Sequence, residues 1–329
     1  MDRTFVAPPV DDVQLQRQAR PWVAELCGRI ADKALLERLT QNEDADLAAT
    51  VFYQSICAHP AHGAFMDAVD RQALPEEIRP RRIKLFVVPA FLYREYPTLG
   101  GDGRHILHVA RELGLDAQRV ETASTGTVSA NTEILRRTLA HCDAEEIWLL
   151  SMSKGGAEVR LLFQQHGEAI PARRITHWFN ISGLANGSQL VDALTHSTLR
   201  RMRMRALCLA TGAQFHALRE LRTDHALWQE PFTPPSWLRV INVLGVPLSS
   251  HVERALVTRY RRIRQLGPND GMVLLPDAII EPGLIYPIWG TDHYMRDARI
   301  IPTLYRLLTY FLEDGHPREE QEPRKGDRT

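Results

Sequence analysis

The sequence predicts an α/β fold, a mostly parallel sheet with helices on both faces. Short apolar runs rich in β-branched and aromatic residues recur between residues 83 and 289. Amphipathic, helix-compatible stretches separate most of these runs. Such alternation is typical of β-α-β units, whose crossover helices cover a parallel sheet on both faces. With 329 residues, the chain can bury a large core without disulfide or metal support.

The chain begins with a predicted helical extension over residues 1–81. Residues 1–12 contain Pro8-Pro9 and show little periodicity, so we expect a loose tail there. From residue 13 to residue 79 the apolar positions recur near the helical period of 3.6. These helices are expected to form either a subdomain or arms packed on the main domain.

The main domain is predicted over residues 82–314. Its expected strands are residues 83–91, 116–124, 145–151, 174–182, 238–246 and 283–289. Its expected helices are residues 103–115, 128–141, 155–167, 251–267 and 300–314. Ser129 or Asn131 is the expected N-cap of the second of these helices. A helical, arginine-rich and then proline-rich stretch at about 192–236 predicts a lid-like insertion, and residues 315–329 predict a polar tail.

Composition narrows the partners and the compartment. The formal net charge is zero, so no basic field points to nucleic acid. No apolar run approaches the length of a membrane span, and no signal peptide is visible. The four cysteines lie far apart, which favours buried free thiols over a disulfide framework or a zinc site. We therefore expect a cytoplasmic protein without a metal or another cofactor.

Two local arginine clusters stand out against this neutral background. They are "LRRMRMR" at residues 199–205 and "RYRRIR" at residues 259–264. A charge run is usually a solvated helix face. The alternative is a surface for an anionic partner, and the sequence leaves both interpretations open.

The stretch "IWLLSMSKGGAEV" (147–159) ends a buried-looking strand and starts a helix. A phosphate loop requires its lysine after the glycines and then Ser or Thr, an order that is absent here. A plain strand-to-helix connection remains possible. The third interpretation is a serine nucleophile at a tight turn, with the pattern Gly-x-Ser-x-Gly. Ser153 occupies the apex, Gly155 matches the last position, and Ser151 replaces the first glycine.

A helix that begins after Ser153 would present free N–H groups to the site. The Lys154 N–H is therefore a candidate oxyanion donor. We expect the charged side chain of Lys154 to point to solvent and to take no part in catalysis.

A serine nucleophile needs a histidine base and a carboxylate that orients it. Asp270 lies in an Asn-Asp-Gly turn, and His293 follows the last predicted strand. The chain order Ser, Asp, His is the order expected of these three groups when the serine lies on such a turn. Asp277 and Asp292 are the alternative acids, and Ser151 is the alternative nucleophile.

Residues 82–314 resemble the α/β-hydrolase superfamily, and within it bacterial lipases and esterases. The resemblance is carried by "FVVPAF", "LLSMSKGG", "ISGLANGSQLVDAL", "GPNDGMV" and "GTDH". It implies an α/β-hydrolase fold and a second oxyanion N–H from Phe91, in the loop after the first strand of the domain. Pro89-Ala90 stands where such enzymes usually have His-Gly.

Two hypotheses about function follow. The first is a serine hydrolase that cleaves the ester of a small acyl substrate through Ser153, His293 and Asp270. Thioester cleavage and acyl transfer use the same groups. The second is a hydrolase-fold binding protein without catalysis, which is motivated by Ser151 and Pro89-Ala90 because both depart from the usual pattern.

Overall fold

A computed structural model describes residues 12–73, 82–167 and 170–314. The expected tails before residue 12 and after residue 314 lie outside these residues. Four helices come first. They are α1 (Val13–Glu25), α2 (Lys33–Asn42), α3 (Ala45–Ala58) and α4 (Pro60–Asp70). Asp32 and Asp44 cap α2 and α3, because their carboxylates accept hydrogen bonds from backbone N–H groups of the first turn.

A six-stranded sheet forms the centre of the molecule. Its strands are β1 (Ile83–Val88), β2 (Asp116–Arg119), β3 (Glu146–Met152), β4 (Ile175–Ile181), β5 (Arg239–Val246) and β6 (Leu284–Trp289). They lie in the order β2-β1-β3-β4-β5-β6, and every neighbouring pair is parallel. The carboxyl ends of all six strands therefore meet at one edge, which is where parallel α/β sheets place their ligand sites.

Eight further helices follow in the described chain. They are α5 (Arg104–Glu112), α6 (Val128–Ala140), α7 (Lys154–His166), α8 (Gln189–Thr195), α9 (Thr198–Thr211), α10 (Phe215–Glu220), α11 (Val257–Ile263) and α12 (Ile300–Asp314). The prediction of a mostly parallel sheet covered by helices is confirmed.

Alternate side chains of the strands point to opposite faces of the sheet. In β1, Leu85 and Val87 are buried in a cluster with α5 and α12, whereas Phe86 and Val88 are buried with α6 and α7. Strands β3, β4, β5 and β6 repeat this alternation, so both faces of the sheet are apolar there and both need a helical cover. The sheet is thus fixed between two layers of helices, and its carboxyl edge is a rigid base for a site.

The N-terminal helices share a buried cluster with the sheet. Phe52 and Ile56 of α3 belong to the same cluster as Leu244 of β5 and Ile285. Helix α4 contributes Phe65 to the cluster on the face of α12. The N-terminal helices are therefore packed on the sheet as arms and do not form a separate subdomain. The division at residue 81 stays a prediction.

Several local expectations were wrong. Thr127 caps α6, because its hydroxyl accepts from the Ala130 N–H at 3.0 Å, while Ser129 and Asn131 lie inside the helix. The predicted helix 251–267 contains an α-helix only from Val257 to Ile263. All four cysteines are free, as expected, but only Cys208 is buried and Cys27 is exposed.

Among the described residues, no helix combines the length and the apolar character that crossing a bilayer requires.

Candidate active site

The turn between β3 and α7 holds Ser153 in a strained conformation. Ser153 has φ 50° and ψ −118°, and residues other than glycine rarely adopt such a positive φ. The turn is fixed from both sides, because the Ser153 N–H donates to the Ile181 carbonyl at 3.1 Å and the Ser153 carbonyl accepts from the Leu184 N–H at 2.9 Å. A strained backbone conformation persists only where the surrounding contacts hold it in place, as these two hydrogen bonds do.

Two glycines allow this turn to pack against its neighbours. A Cβ at Gly155 would lie 2.5 Å from the carbonyl oxygen of Val88, and a Cβ at Gly156 would lie 2.6 Å from Oδ1 of Asn180. Both contacts are shorter than any real Cβ tolerates, so a side chain at either position would push α7 away from the sheet. The Gly-Gly pair therefore lets the start of α7 touch the backbone at the end of β1.

Asp270 lies in a turn that aims its carboxylate. One oxygen, Oδ1, accepts from the N–H groups of Met272 at 2.9 Å and Val273 at 3.0 Å. The neighbouring Asn269 accepts from the Gly271 N–H at 3.0 Å, and Gly271 has a positive φ of 102°. The Asn-Asp-Gly sequence thus builds the turn, while Oδ2 of Asp270 stays available for another donor.

His293 joins this carboxylate to Ser153. Its Nδ1 lies 2.7 Å from Asp270 Oδ2, and its Nε2 lies 2.9 Å from Ser153 Oγ. A carboxylate beside Nδ1 favours the tautomer with the proton on Nδ1, which leaves Nε2 to accept from the serine hydroxyl. The His293 N–H also donates to the Asp270 carbonyl at 3.0 Å, so backbone and side chain align together. Asp270 and His293 are both buried.

The sequence matches no protein-family model and no curated protein. Solved structures do match. A metagenomic carboxyl esterase superposes with a TM-score of 0.58 at 16% identity, over 89% of this chain and 95% of the esterase. The mature lipase BlEst2 of Bacillus licheniformis gives a TM-score of 0.50 at 18% identity, over 72% of this chain and 92% of the lipase.

The chain has the α/β-hydrolase fold. In this fold a nucleophilic serine occupies the turn from a strand to a helix, and an acid and a histidine follow later in the chain. In this chain Ser153 lies at the turn from β3 to α7, and Asp270 and His293 follow later in the chain.

The alternative residues have other partners. Ser151 is fully buried, and its hydroxyl accepts from Trp178 Nε1 at 2.8 Å. Asp277 accepts from Lys33 Nζ at 2.7 Å and from Gln189. Asp292 accepts from the backbone N–H groups of residues 253 and 294, and burial raises its pKa to about 6. None of the three makes a hydrogen bond with His293 among the described contacts.

Two backbone N–H groups belong to the segments around the close contact between β1 and α7. Phe91 follows the end of β1, and Lys154 is the first residue of α7. Within the described ranges, neither N–H donates to a protein acceptor. The neighbouring N–H of Leu92, in contrast, is bound to the Ser124 carbonyl at 2.9 Å.

The expectation that the side chain of Lys154 points to solvent was wrong. It is 1% exposed rather than solvated, and its Nζ forms an ion pair with Glu158, which is fully buried one turn along α7. Burial raises the pKa of Glu158, and the neighbouring Lys154 opposes that shift. Asn131 of α6 donates to the same carboxylate oxygen at 2.8 Å.

This buried pair was missed because a lysine and a glutamate four residues apart are usually a surface pattern. A signal was available in the sequence. The helix "GGAEVRLLFQQH" is apolar or small on most sides, which is typical of a helix buried all round. A charge in such a helix must find a buried partner.

An apolar cavity of about 50 Å³ is lined by the sequence neighbours of the serine and the histidine, Met152, Tyr294 and Met295. Met152 and Ile181 line it from the ends of β3 and β4, and Met295 lines it from the loop that carries His293. The cavity continues towards α12, where its walls are Ile300, Leu304 and Leu307.

Proposed function

We propose that the protein is a serine hydrolase that cleaves carboxylic esters through an acyl-enzyme. The observation that carries the proposal is the continuous hydrogen-bonded series from Asp270 Oδ2 through His293 to Ser153 Oγ, at 2.7 and 2.9 Å. Both distances lie within the range in which a base takes a proton from a nucleophile. The fold supports the proposal, because it presents a serine in this way in many hydrolases.

The reaction would begin at Ser153. Its Oγ attacks the ester carbonyl while His293 Nε2 takes the hydroxyl proton, which gives a tetrahedral oxyanion. His293 then returns the proton to the leaving alcohol as the carbon–oxygen bond breaks. Water repeats the two steps on the acyl-enzyme and releases the carboxylic acid and free Ser153. Asp270 stabilises the imidazolium of His293 in both halves of the reaction.

The oxyanion would be stabilised by the N–H groups of Phe91 and Lys154. Both lack a protein acceptor in the described part of the chain, and the second lies at the N-terminus of α7, where the helix dipole favours negative charge. The acyl group would occupy the apolar cavity beside Met152 and Met295. Because that cavity is small, we expect short acyl chains to react faster than long ones.

A fluorophosphonate probe, which reacts with activated serines, tests the proposal. The wild-type protein should be labelled, and Ser153→Ala should not. Ser151→Ala is the matched control, two residues earlier in β3, and it should still be labelled. Hydrolysis of p-nitrophenyl esters of increasing chain length then compares the ester substrates.

Labelling that survives in Ser153→Ala but disappears in Ser151→Ala would move the nucleophile to Ser151. An unlabelled wild-type protein would favour the binding protein without catalysis. Thioesters and acceptor alcohols, added to the same assay, separate the thioesterase and acyltransferase alternatives, since these use the same acyl-enzyme.

A further inference from the structure

A second and larger cavity lies in the helical segment that follows β4. Its volume is about 710 Å³, within the range of small-molecule sites. It is formed by the end of α8, by α9 and α10, and by the loop after α10. Its lining includes four arginines, namely Arg201, Arg205, Arg219 and Arg222.

These four guanidinium groups face a single lining carboxylate, that of Asp224. Arg222 uses that carboxylate in a bidentate ion pair at 2.7 and 2.6 Å, and it also donates to the Thr195 hydroxyl at 2.7 Å. The carboxylate of Asp224 is therefore neutralised by one arginine. The other three arginines supply positive charge to the cavity.

Those three arginines make no ion pair with any described carboxylate. Arg201 donates to the Thr198 hydroxyl at 3.2 Å, and the Arg205 guanidinium lies 5.8 Å from the centre of the Phe215 ring. Such contacts orient a guanidinium and leave most of its five N–H donors available.

The grouping differs from an ordinary solvated helix face. Arg203 of the same helix α9 is also exposed, but it does not line the cavity. Arg201 and Arg205 are one helical turn apart and therefore share a side of α9, and α10 adds Arg219 from across the cavity. Like charges that converge on a concave surface repel each other, and a bound anion would remove that repulsion.

We propose that this cavity binds an anionic group of the phosphate class. Arginine binds phosphate oxygens with two parallel N–H donors, and several arginines can surround one phosphate. Thr198 would add a hydroxyl donor at the cavity wall. The site lies outside the catalytic groups, so it goes beyond ester hydrolysis and is tested by binding alone.

The apolar residues around the cavity bear on the source of the phosphate. Met202, which lines the cavity, is 63% exposed, and Leu199 on the same helix is 59% exposed. An apolar rim beside a cationic cavity suits a phospholipid headgroup as well as a free phosphate, because basic residues and exposed apolar side chains together favour anionic lipid surfaces. The two sources share the phosphate chemistry and differ in the lipid.

The experiment measures binding of two probes to the full-length protein. Inorganic phosphate is titrated by calorimetry, and phosphatidylcholine vesicles with and without phosphatidylglycerol are tested by co-sedimentation. The variants are Arg205→Gln, Arg219→Gln and the double variant, with Arg203→Gln as the charge-matched control on α9. Arg205→Lys keeps the charge and removes the paired donors.

We expect at least one probe to bind, with a loss of about tenfold or more in each cavity variant, as for charge-assisted hydrogen bonds. Arg203→Gln should stay within about twofold, because an exposed unpaired charge contributes little. Phosphate binding identifies a free-phosphate site, and binding to phosphatidylglycerol vesicles alone identifies a headgroup site. Failure of both probes, or an equal loss in Arg203→Gln, overturns the proposal.

Discussion

Helices α7 and α9 are of similar length and both carry charged residues, yet α7 is buried in the protein and α9 is exposed. Every residue of α7 from Lys154 to Phe163 is buried. Among the α9 side chains from residue 198 to residue 210, only Cys208 is buried, while Leu199, Met202, Leu207 and Leu209 are all more than half exposed. The charges of α7 therefore depend on buried partners, whereas those of α9 face solvent and a cavity. This difference shows that the burial of a helix, rather than its residue types, decides whether its charged side chains need buried partners or are free to face solvent.

The largest expected effect separates the acid beside His293 from other carboxylates. Asp270→Asn keeps the shape of the turn but favours the wrong imidazole tautomer, and kcat should fall by about 10⁴-fold, as in the worked serine-protease example. Asp277→Asn is the control, because Asp277 binds Lys33 and Gln189 instead. Steady-state ester hydrolysis measures both variants. If Asp270→Asn kept most of its activity, Asp270 would only shape the turn.

The next effect concerns the buried ion pair of α7. Lys154→Met leaves the carboxylate of Glu158 buried without its counter-ion, and the free energy of unfolding should fall by about 3–5 kcal/mol. Lys154→Met with Glu158→Leu removes both charges and should recover much of that loss. Urea denaturation compares these variants with Arg203→Met in α9, which should unfold like the wild type. A Lys154→Met variant of wild-type stability would show that the pair contributes nothing.

A third test uses pH to contrast buried Asp292 with exposed Asp224. Burial raises the pKa of Asp292 to about 6, above the usual value near 4. The folded state thus binds this proton more tightly than the unfolded state, and its contribution to stability falls as pH rises from about 4 to about 6. The total change is about 3 kcal/mol, at 1.36 kcal/mol per pKa unit.

Asp292→Asn removes that contribution, so the variant should gain stability relative to wild type between pH 4 and pH 7. Asp224 behaves in the opposite direction, because Arg222 lowers its pKa and its stabilisation is lost only as pH falls. Denaturant titrations of the wild type, Asp292→Asn and Asp224→Asn at several pH values measure both contributions. A wild-type minus Asp292→Asn difference that did not change with pH would remove Asp292 from the titrating groups.

The sheet and the candidate site residues could be predicted from the sequence, whereas the surroundings of α7 and α9 could not. Alternation of apolar runs and helical stretches gave the parallel sheet, because both faces of such strands must be apolar. Turn residues and chain order made Ser153, Asp270 and His293 the candidate site residues, and in the structure their side chains lie within hydrogen-bonding distance. The burial of Lys154 was not predictable from local spacing, since it depends on how α6 and the sheet enclose α7. The cavity of α9 likewise depends on the position of α10.

The smallest expected effect lies on the outer surface of α9. Leu209 is 85% exposed, so Leu209→Ser removes little buried apolar area and should change the free energy of unfolding by less than about 0.5 kcal/mol. Leu162→Ala in α7 is the matched control. Leu162 is fully buried, and its truncation should cost about 2–5 kcal/mol. Thermal and urea unfolding of the two variants measures the contrast directly. A loss of more than about 1 kcal/mol in Leu209→Ser would mean that another surface covers this side chain in solution, because an exposed side chain has no packing to lose. The opposition between α7 and α9 would then hold only for the isolated chain.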